Sequence, residues 1–74
     1  MTVYIVQIYD YDWGWENDAV FKDKNDAKKY IIERFKELYP VKAEDERVMA
    51  DITKSLKEDS YVEEFAVIET WEVQ

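Results

Sequence analysis

Apolar residues are concentrated in two long runs near the two ends of the chain, and both runs are rich in the β-branched and aromatic residues typical of β-strands. Residues 3–12 are rich in Val, Ile and Tyr, residues 19–21 form a short apolar run, and residues 61–73 form the second long run. The only glycine, Gly14, lies in the stretch 13–18, where Trp, Glu, Asn and Asp surround it and a turn is favoured. The first two runs are therefore predicted to form a hairpin, and the third run a separate strand.

Both long strands have apolar residues on each of their two faces, because successive side chains point to opposite sides. The first strand is predicted to divide into two sets, Val3, Ile5, Gln7, Tyr9 and Tyr11 against Tyr4, Val6, Ile8, Asp10 and Asp12. The last strand is predicted to divide into Tyr61, Phe65, Val67, Trp71 and Val73 against Val62, Ala66 and Ile68.

The middle of the chain has helical periodicity. Asp23 is placed as an N-cap with Asp26 three residues later, and Pro40 ends the first helix. A second helix is predicted over about 43–58, with an apolar stripe formed by Val48, Met49, Ile52 and Leu56. The sequence therefore predicts one α+β domain over residues 1–74, in the order ββααβ, with a small antiparallel sheet of about three strands and two helices packed on one face.

A sheet of this kind leaves one face without a helix, since two helices can cover only one side. The uncovered side would expose either Val3, Ile5, Tyr9 and Tyr11 or Tyr4, Val6 and Ile8, together with residues of the last strand. Such a face is typical of a partner surface or a dimer seam. The alternatives are that loops or the aliphatic stems of Lys and Arg cover it, or that the sheet has more strands.

Composition excludes much chemistry. The 74 residues contain no Cys and no His, so thiol nucleophiles, disulfides and the commonest metal ligand and general base are missing. We therefore expect no enzyme activity and no cofactor. The opening apolar run is about seven residues long and lacks a basic leader, and no run is long enough to span a membrane, so a cytoplasmic protein is expected.

The net charge of −8 is unevenly distributed. Residues 23–42 have a net charge of +2, whereas residues 43–60 have −3 and residues 61–74 have −4. Negative charge argues against binding to anionic lipid or nucleic acid and favours a basic protein partner. Solubility alone is the other explanation of an acidic surface.

Three Trp residues lie among carboxylates, and Trp and Tyr are typical interface anchors. Some of these rings could instead cap the thin core. The predicted partner-binding residues are Asp10, Asp12, Trp13, Trp15, Glu16, Glu44, Asp45, Asp51, Glu58, Asp59, Glu63, Glu64, Glu69, Trp71 and Glu72.

Motifs for other chemistry are incomplete. The spacing Asp10-x-Asp12-x-Gly14 is similar to the start of a Ca²⁺ loop, but the later ligands of a twelve-residue loop are missing. Divalent-cation binding by Asp10, Asp12 and Glu16 therefore remains only a third interpretation. Aspartyl-phosphate and glycosidase chemistry need a larger fold or a sugar-sized cleft.

A resemblance adds to this picture. Residues 3–6, 19–24 and 27–31, followed by 61–73, resemble small uncharacterised bacterial and phage-encoded proteins of similar length with a strand–strand–helix–strand order. In its size and charge the chain also resembles acidic phage-encoded inhibitors of host defence, including anti-CRISPR proteins, many of which occupy the nucleic-acid channel of their target. This second resemblance implies a nucleic-acid mimic.

The leading hypothesis is a non-enzymatic acidic binding protein that inhibits a basic, nucleic-acid-handling partner. Carboxylates across a rigid face would replace phosphates opposite Lys and Arg, and electrostatic steering would speed association. The alternative is a structural or accessory homodimer that uses the uncovered sheet face and has no inhibitory role.

Overall fold

The structure, a computed structural model, describes residues 1–58 and 61–74. Two α-helices and one short 3₁₀ turn lie between two pairs of strands. The elements are β1 (Thr2–Asp10), β2 (Gly14–Phe21), α1 (Lys24–Leu38), the 3₁₀ turn (Lys42–Glu44), α2 (Glu46–Glu58), β3 (Tyr61–Val62) and β4 (Ala66–Glu72).

The four strands form one antiparallel sheet in the order β2-β1-β4-β3. The α+β class is confirmed, but the order is ββααββ instead of ββααβ. The predicted last strand divides in two because Glu63 and Glu64 form an exposed turn, in which Glu64 has a positive φ of 59°. This turn places Phe65 in the core, with only 4% of its surface exposed, and not on the face of Val67 as predicted.

The first turn also differs from its prediction. The Asp10 carboxylate accepts hydrogen bonds from the backbone N–H groups of Asp12 (2.7 Å) and Trp13 (3.2 Å). These bonds close the chain reversal immediately after β1, so β2 begins at Gly14, whose φ is +80°. Trp15, Glu16 and Asn17 therefore pair with β1 and do not belong to a loop.

The helices begin at side-chain caps. The Asp23 carboxylate accepts from the N–H groups of Asn25 (2.7 Å) and Asp26 (3.4 Å), which confirms the predicted cap of α1. The second helix begins at Glu46 and not near residue 43, because a 3₁₀ turn comes first and Asp45 accepts from the N–H of Arg47 at 2.9 Å.

The core lies between the helices and one face of the sheet, which confirms that the helices cover a single side. Val6 and Ile31 are completely buried, and they illustrate the contact of β1 with α1. The buried apolar residues are Val6, Ile8, Ala27, Ile31, Phe35, Ile52, Leu56, Val62, Phe65, Ala66 and Ile68. Within the sheet, these residues come from the even-numbered positions of β1, β3 and β4.

Candidate functional site

The candidate site is the face of the sheet that no helix covers, which we call the open face. The register pairs Val3 with Trp71, Ile5 with both Glu69 and Val20, and Tyr9 with Trp15. Directly paired residues of an antiparallel sheet point to the same side. The open face consists of Val3, Ile5, Gln7, Tyr9, Trp15, Asn17, Val20, Tyr61, Val67, Glu69 and Trp71.

Large apolar side chains on the open face are accessible to solvent. Val20 is 61% exposed, Trp71 is 54% exposed, and Trp15 and Tyr61 are also exposed. None of the four strands contains Lys or Arg, so no aliphatic stem from the sheet itself shields these residues. Exposed apolar side chains that share one face of a sheet are typical of a protein–protein contact.

Four aromatic residues gather where β1 turns into β2. The Tyr9 ring lies 5.2 Å from the Tyr11 ring and 5.3 Å from the Trp15 ring, both in edge-to-face geometry. Trp13, at the tip of the turn, is 78% exposed and does not cap the core. The edge-to-face contacts join the rings of Tyr9, Tyr11 and Trp15 into one aromatic cluster at this end of the open face.

Trp71 is separate from that aromatic group. It pairs with Val3, six residues along β1 from Tyr9, which corresponds to roughly 20 Å at the rise of a β-strand. Its indole Nε1 donates to the Glu69 carboxylate at 3.0 Å. The predicted partner-binding residues Trp13, Trp15 and Trp71 therefore do not form one cluster, although Trp15 and Trp71 share the same face of the sheet.

Several of the predicted partner-binding residues lie at the hairpin end of the sheet. The N–H of Tyr9 donates to the Phe65 carbonyl at 2.8 Å, which joins the end of β1 to the turn after β3. The sheet register therefore brings the β1–β2 turn close to the turn that contains Glu63 and Glu64. The predicted residues at this end are Asp10, Asp12, Trp13, Trp15, Glu16, Glu63 and Glu64.

The remaining predicted acids do not share one surface. Glu69 lies on the open face, whereas Glu72 lies on the opposite side of β4 and near the amino terminus, 3.9 Å from its nitrogen. Strand alternation is the reason, because positions 69 and 72 have opposite parity. Glu63 and Glu64 belong to a turn and not to the last strand.

The acids of the second helical region are spread along it. Glu44 and Asp45 precede α2, Asp51 lies within it, and Glu58 ends it. A helix of 13 residues is about 20 Å long, so its ends cannot form one compact patch. Asp59 lies outside the described residues.

One side-chain network was not foreseen from the sequence. Asp18 sits where the pairing of β1 and β2 is interrupted by a bulge, and its carboxylate accepts from the Tyr30 hydroxyl and from Arg34 Nε (3.2 Å). Arg34 Nη1 donates to Glu37 at 2.8 Å. These bonds attach β2 to α1. The only signal in the sequence is Asp18 itself, and nothing there reveals a bulge.

The network shifts the pKa values of two of its side chains. Burial raises the pKa of the Tyr30 hydroxyl above its ordinary value, and the hydrogen bond to the Asp18 carboxylate raises it further. The hydrogen bond to Glu37 raises the pKa of Arg34, and the guanidinium stays charged. The network has a structural role, because its polar groups form hydrogen bonds with one another.

The geometry offers little for metal or small-molecule chemistry. Within residues 1–58 and 61–74, no three acidic side chains are placed to hold a metal ion, and the Asp10 carboxylate is engaged in its own turn. The divalent-cation interpretation therefore receives no support. A depression along α2 has only one wall, since all its lining residues, from Glu46 to Lys57, belong to that helix.

Comparison of the chain with protein-family models, curated proteins and solved structures found no significant match. The resemblance to phage-encoded inhibitors consequently remains a prediction. No helix in the part of the chain that the structure describes is long and apolar enough to cross a membrane.

Proposed function

We propose that this protein is a non-enzymatic acidic binding protein that docks its open face on a basic, nucleic-acid-handling protein and inhibits it. The observation that carries the proposal is the open face itself, with Val20, Trp71 and Trp15 accessible on a side of the sheet that no helix covers. Buried Trp side chains are frequent hot spots of protein interfaces.

The charge of the chain supports a basic partner. The protein has 18 acidic and 10 basic residues, and none of the basic residues lies in a strand. The turns at the hairpin end contain exposed carboxylates such as Asp12, Glu63 and Glu64. A positively charged groove built for phosphate would be attracted by these carboxylates, and the apolar residues of the open face would add contact area.

Affinity capture at two salt concentrations tests the proposal. The immobilised protein should retain a basic, nucleic-acid-binding protein from a lysate at low salt and release most of it at high salt, because screening weakens the electrostatic attraction. The captured protein, once purified, should lose its bound nucleic acid when this protein is added.

A matched pair of variants assigns the effect to the open face. Val20→Lys places a positive charge on that face, whereas Ala50→Lys adds the same charge to an exposed position of α2. Capture should fall strongly with the first variant and little with the second. Equal effects, indifference to salt or undiminished nucleic-acid binding by the captured protein would each contradict the proposal.

The second candidate function is a structural homodimer that buries the open face against a second copy. It is favoured by the same exposed apolar residues, since a symmetric dimer can bury one patch against itself. Light scattering separates the two candidates. A salt-resistant dimer supports this function, and a strict monomer supports the inhibitor.

A further inference from the structure

We infer that the open face contains a binding site for an arginine side chain, formed by Glu69 and Trp71, and that the partner docks an apolar segment carrying that arginine. The inference rests on the proposed function and states which chemical group of the partner the face recognises. It depends on the position of one carboxylate inside an otherwise uncharged surface.

Among the residues that the structure describes, Glu69 is the only charged residue of the open face. It is half-buried and pairs across the strands with Ile5, which in turn pairs with Val20. Its Oε2 accepts a hydrogen bond from Trp71 Nε1 at 3.0 Å. Within residues 1–58 and 61–74, no Lys or Arg nitrogen lies within 4.0 Å of this carboxylate.

A partner that covers the open face must compensate for the buried charge of Glu69. Removing an ionised carboxylate from water is costly unless the charge is paired and hydrogen-bonded. An ionised carboxylate has about four acceptor positions, and the indole of Trp71 uses one of them. A cationic donor of the partner, placed opposite Glu69, would both neutralise the charge and occupy the remaining acceptor positions.

Arginine fits this site better than lysine. A guanidinium can donate two parallel hydrogen bonds to a carboxylate, and its flat face stacks on an aromatic ring. Trp71 supplies such a ring, exposed beside the carboxylate and held by their hydrogen bond. An ammonium ion could pair with Glu69 but would not use the indole in the same way.

A second copy of the chain does not satisfy the same requirement. Two open faces in contact would bury two Glu69 carboxylates in one seam, and no strand carries a base to pair with them. The net charge of −8 on each copy adds repulsion. Charge complementarity thus selects a cationic partner.

A peptide titration followed by NMR tests the site. The probe is a short acetylated peptide with one Arg between two Leu residues, compared with the same peptide carrying Lys or uncharged citrulline. The Arg peptide should shift the indole N–H of Trp71 and the amide of Glu69, the Lys peptide should bind more weakly, and the citrulline peptide should produce no shift. Glu69→Gln should weaken binding by about tenfold while its amide oxygen can still accept from Trp71.

The control variant is Glu72→Gln, which removes an acid from the other side of the same strand and should leave the shifts unchanged. The inference is overturned if no shift occurs, if shifts are confined to the hairpin end or α2, or if the citrulline peptide binds as well as the Arg peptide. A partner that is captured by the wild type and equally by Glu69→Gln would overturn this site and leave the proposed function standing.

Discussion

The two faces of the sheet are formed by the same strands but differ in burial and polarity. On the covered side, Val6 and Ile8 are buried under the helices together with Ile68. On the open side, Ile5 and its neighbours are equally apolar but are interrupted by Glu69, Gln7 and Asn17. The difference shows that hydrophobic content alone does not distinguish the two faces. Among the described residues, the open face contains a carboxylate, Glu69, without a Lys or Arg nitrogen within 4.0 Å, whereas the core contains no charged residue.

Polar contacts also distinguish the open face from the covered face. Gln7 Nε2 donates to Asn17 Oδ1 at 2.8 Å across the strands, and Trp71 donates to Glu69. The buried core of the described residues contains no polar or charged residue. The covered face is thus suited to permanent burial, whereas the open face has polar groups that are compatible with contact with water.

The largest expected effect comes from making one substitution on each face. Val6→Ala removes two methyl groups from a completely buried site and should reduce the free energy of unfolding by about 2.5 kcal/mol. Val20→Ala makes the same change at a residue that is 61% exposed, and should cost under about 1 kcal/mol. Urea denaturation measures both values. Similar losses at the two positions would mean that the open face is already covered in the isolated protein.

A smaller effect is expected from the attachment of β2 to α1. Tyr30→Phe removes the hydrogen bond to Asp18 and should cost about 1 kcal/mol near neutral pH. Folding raises the pKa of Tyr30, so the protonated hydroxyl stabilises the folded state below the ordinary pKa of 10.0, and this stabilisation is lost as the pH rises through the higher folded value.

The difference between wild type and Tyr30→Phe should therefore shrink above about pH 10. Urea denaturation of both proteins at about pH 8 and about pH 11 measures it, and the comparison cancels the titration of the other five tyrosines. A difference that stays constant over this range would show that the Tyr30 hydroxyl does not stabilise the fold through its bond to Asp18.

The smallest effect on stability is expected at the residue that makes the faces different. Glu69→Leu should change the free energy of unfolding by less than about 0.5 kcal/mol, because the side chain is only half-buried. It should nevertheless promote self-association by removing the charge from the open face and enlarging its apolar area. Light scattering should find a monomeric wild type and an associated variant. A wild type that is already dimeric at the same concentration would contradict this role of Glu69.

Local signals in the sequence were sufficient for much of the fold. Asp23 and Pro40 correctly delimit α1 to within two residues, and the alternation in β1 correctly separates its two faces. These features depend on neighbouring residues only. The sequence therefore predicted the fold class and the existence of an uncovered apolar face.

Features that depend on contacts between distant residues could not be predicted in this way. The β3–β4 turn contains the adjacent residues Glu63 and Glu64, and two adjacent polar residues are compatible with an exposed part of a continuous strand as well as with a turn. The separation of Trp71 from Trp15 depends on the register of β4 against β1. The Asp18 network depends on a bulge, which leaves one residue unpaired in a strand without any change in composition.

The central position of β1 has a consequence for how the chain folds. Its pairing with β2 is local, whereas its pairing with β4 joins Thr2 to Glu72. Closing a loop over that separation is slower than forming the hairpin, so we expect β1 to pair with β2 before it pairs with β4. Until β4 arrives, β1 presents an unpaired edge with apolar side chains on both sides. An unpaired strand edge is a site of aggregation, so any folding species that contains the hairpin without β4 would expose this edge to other chains.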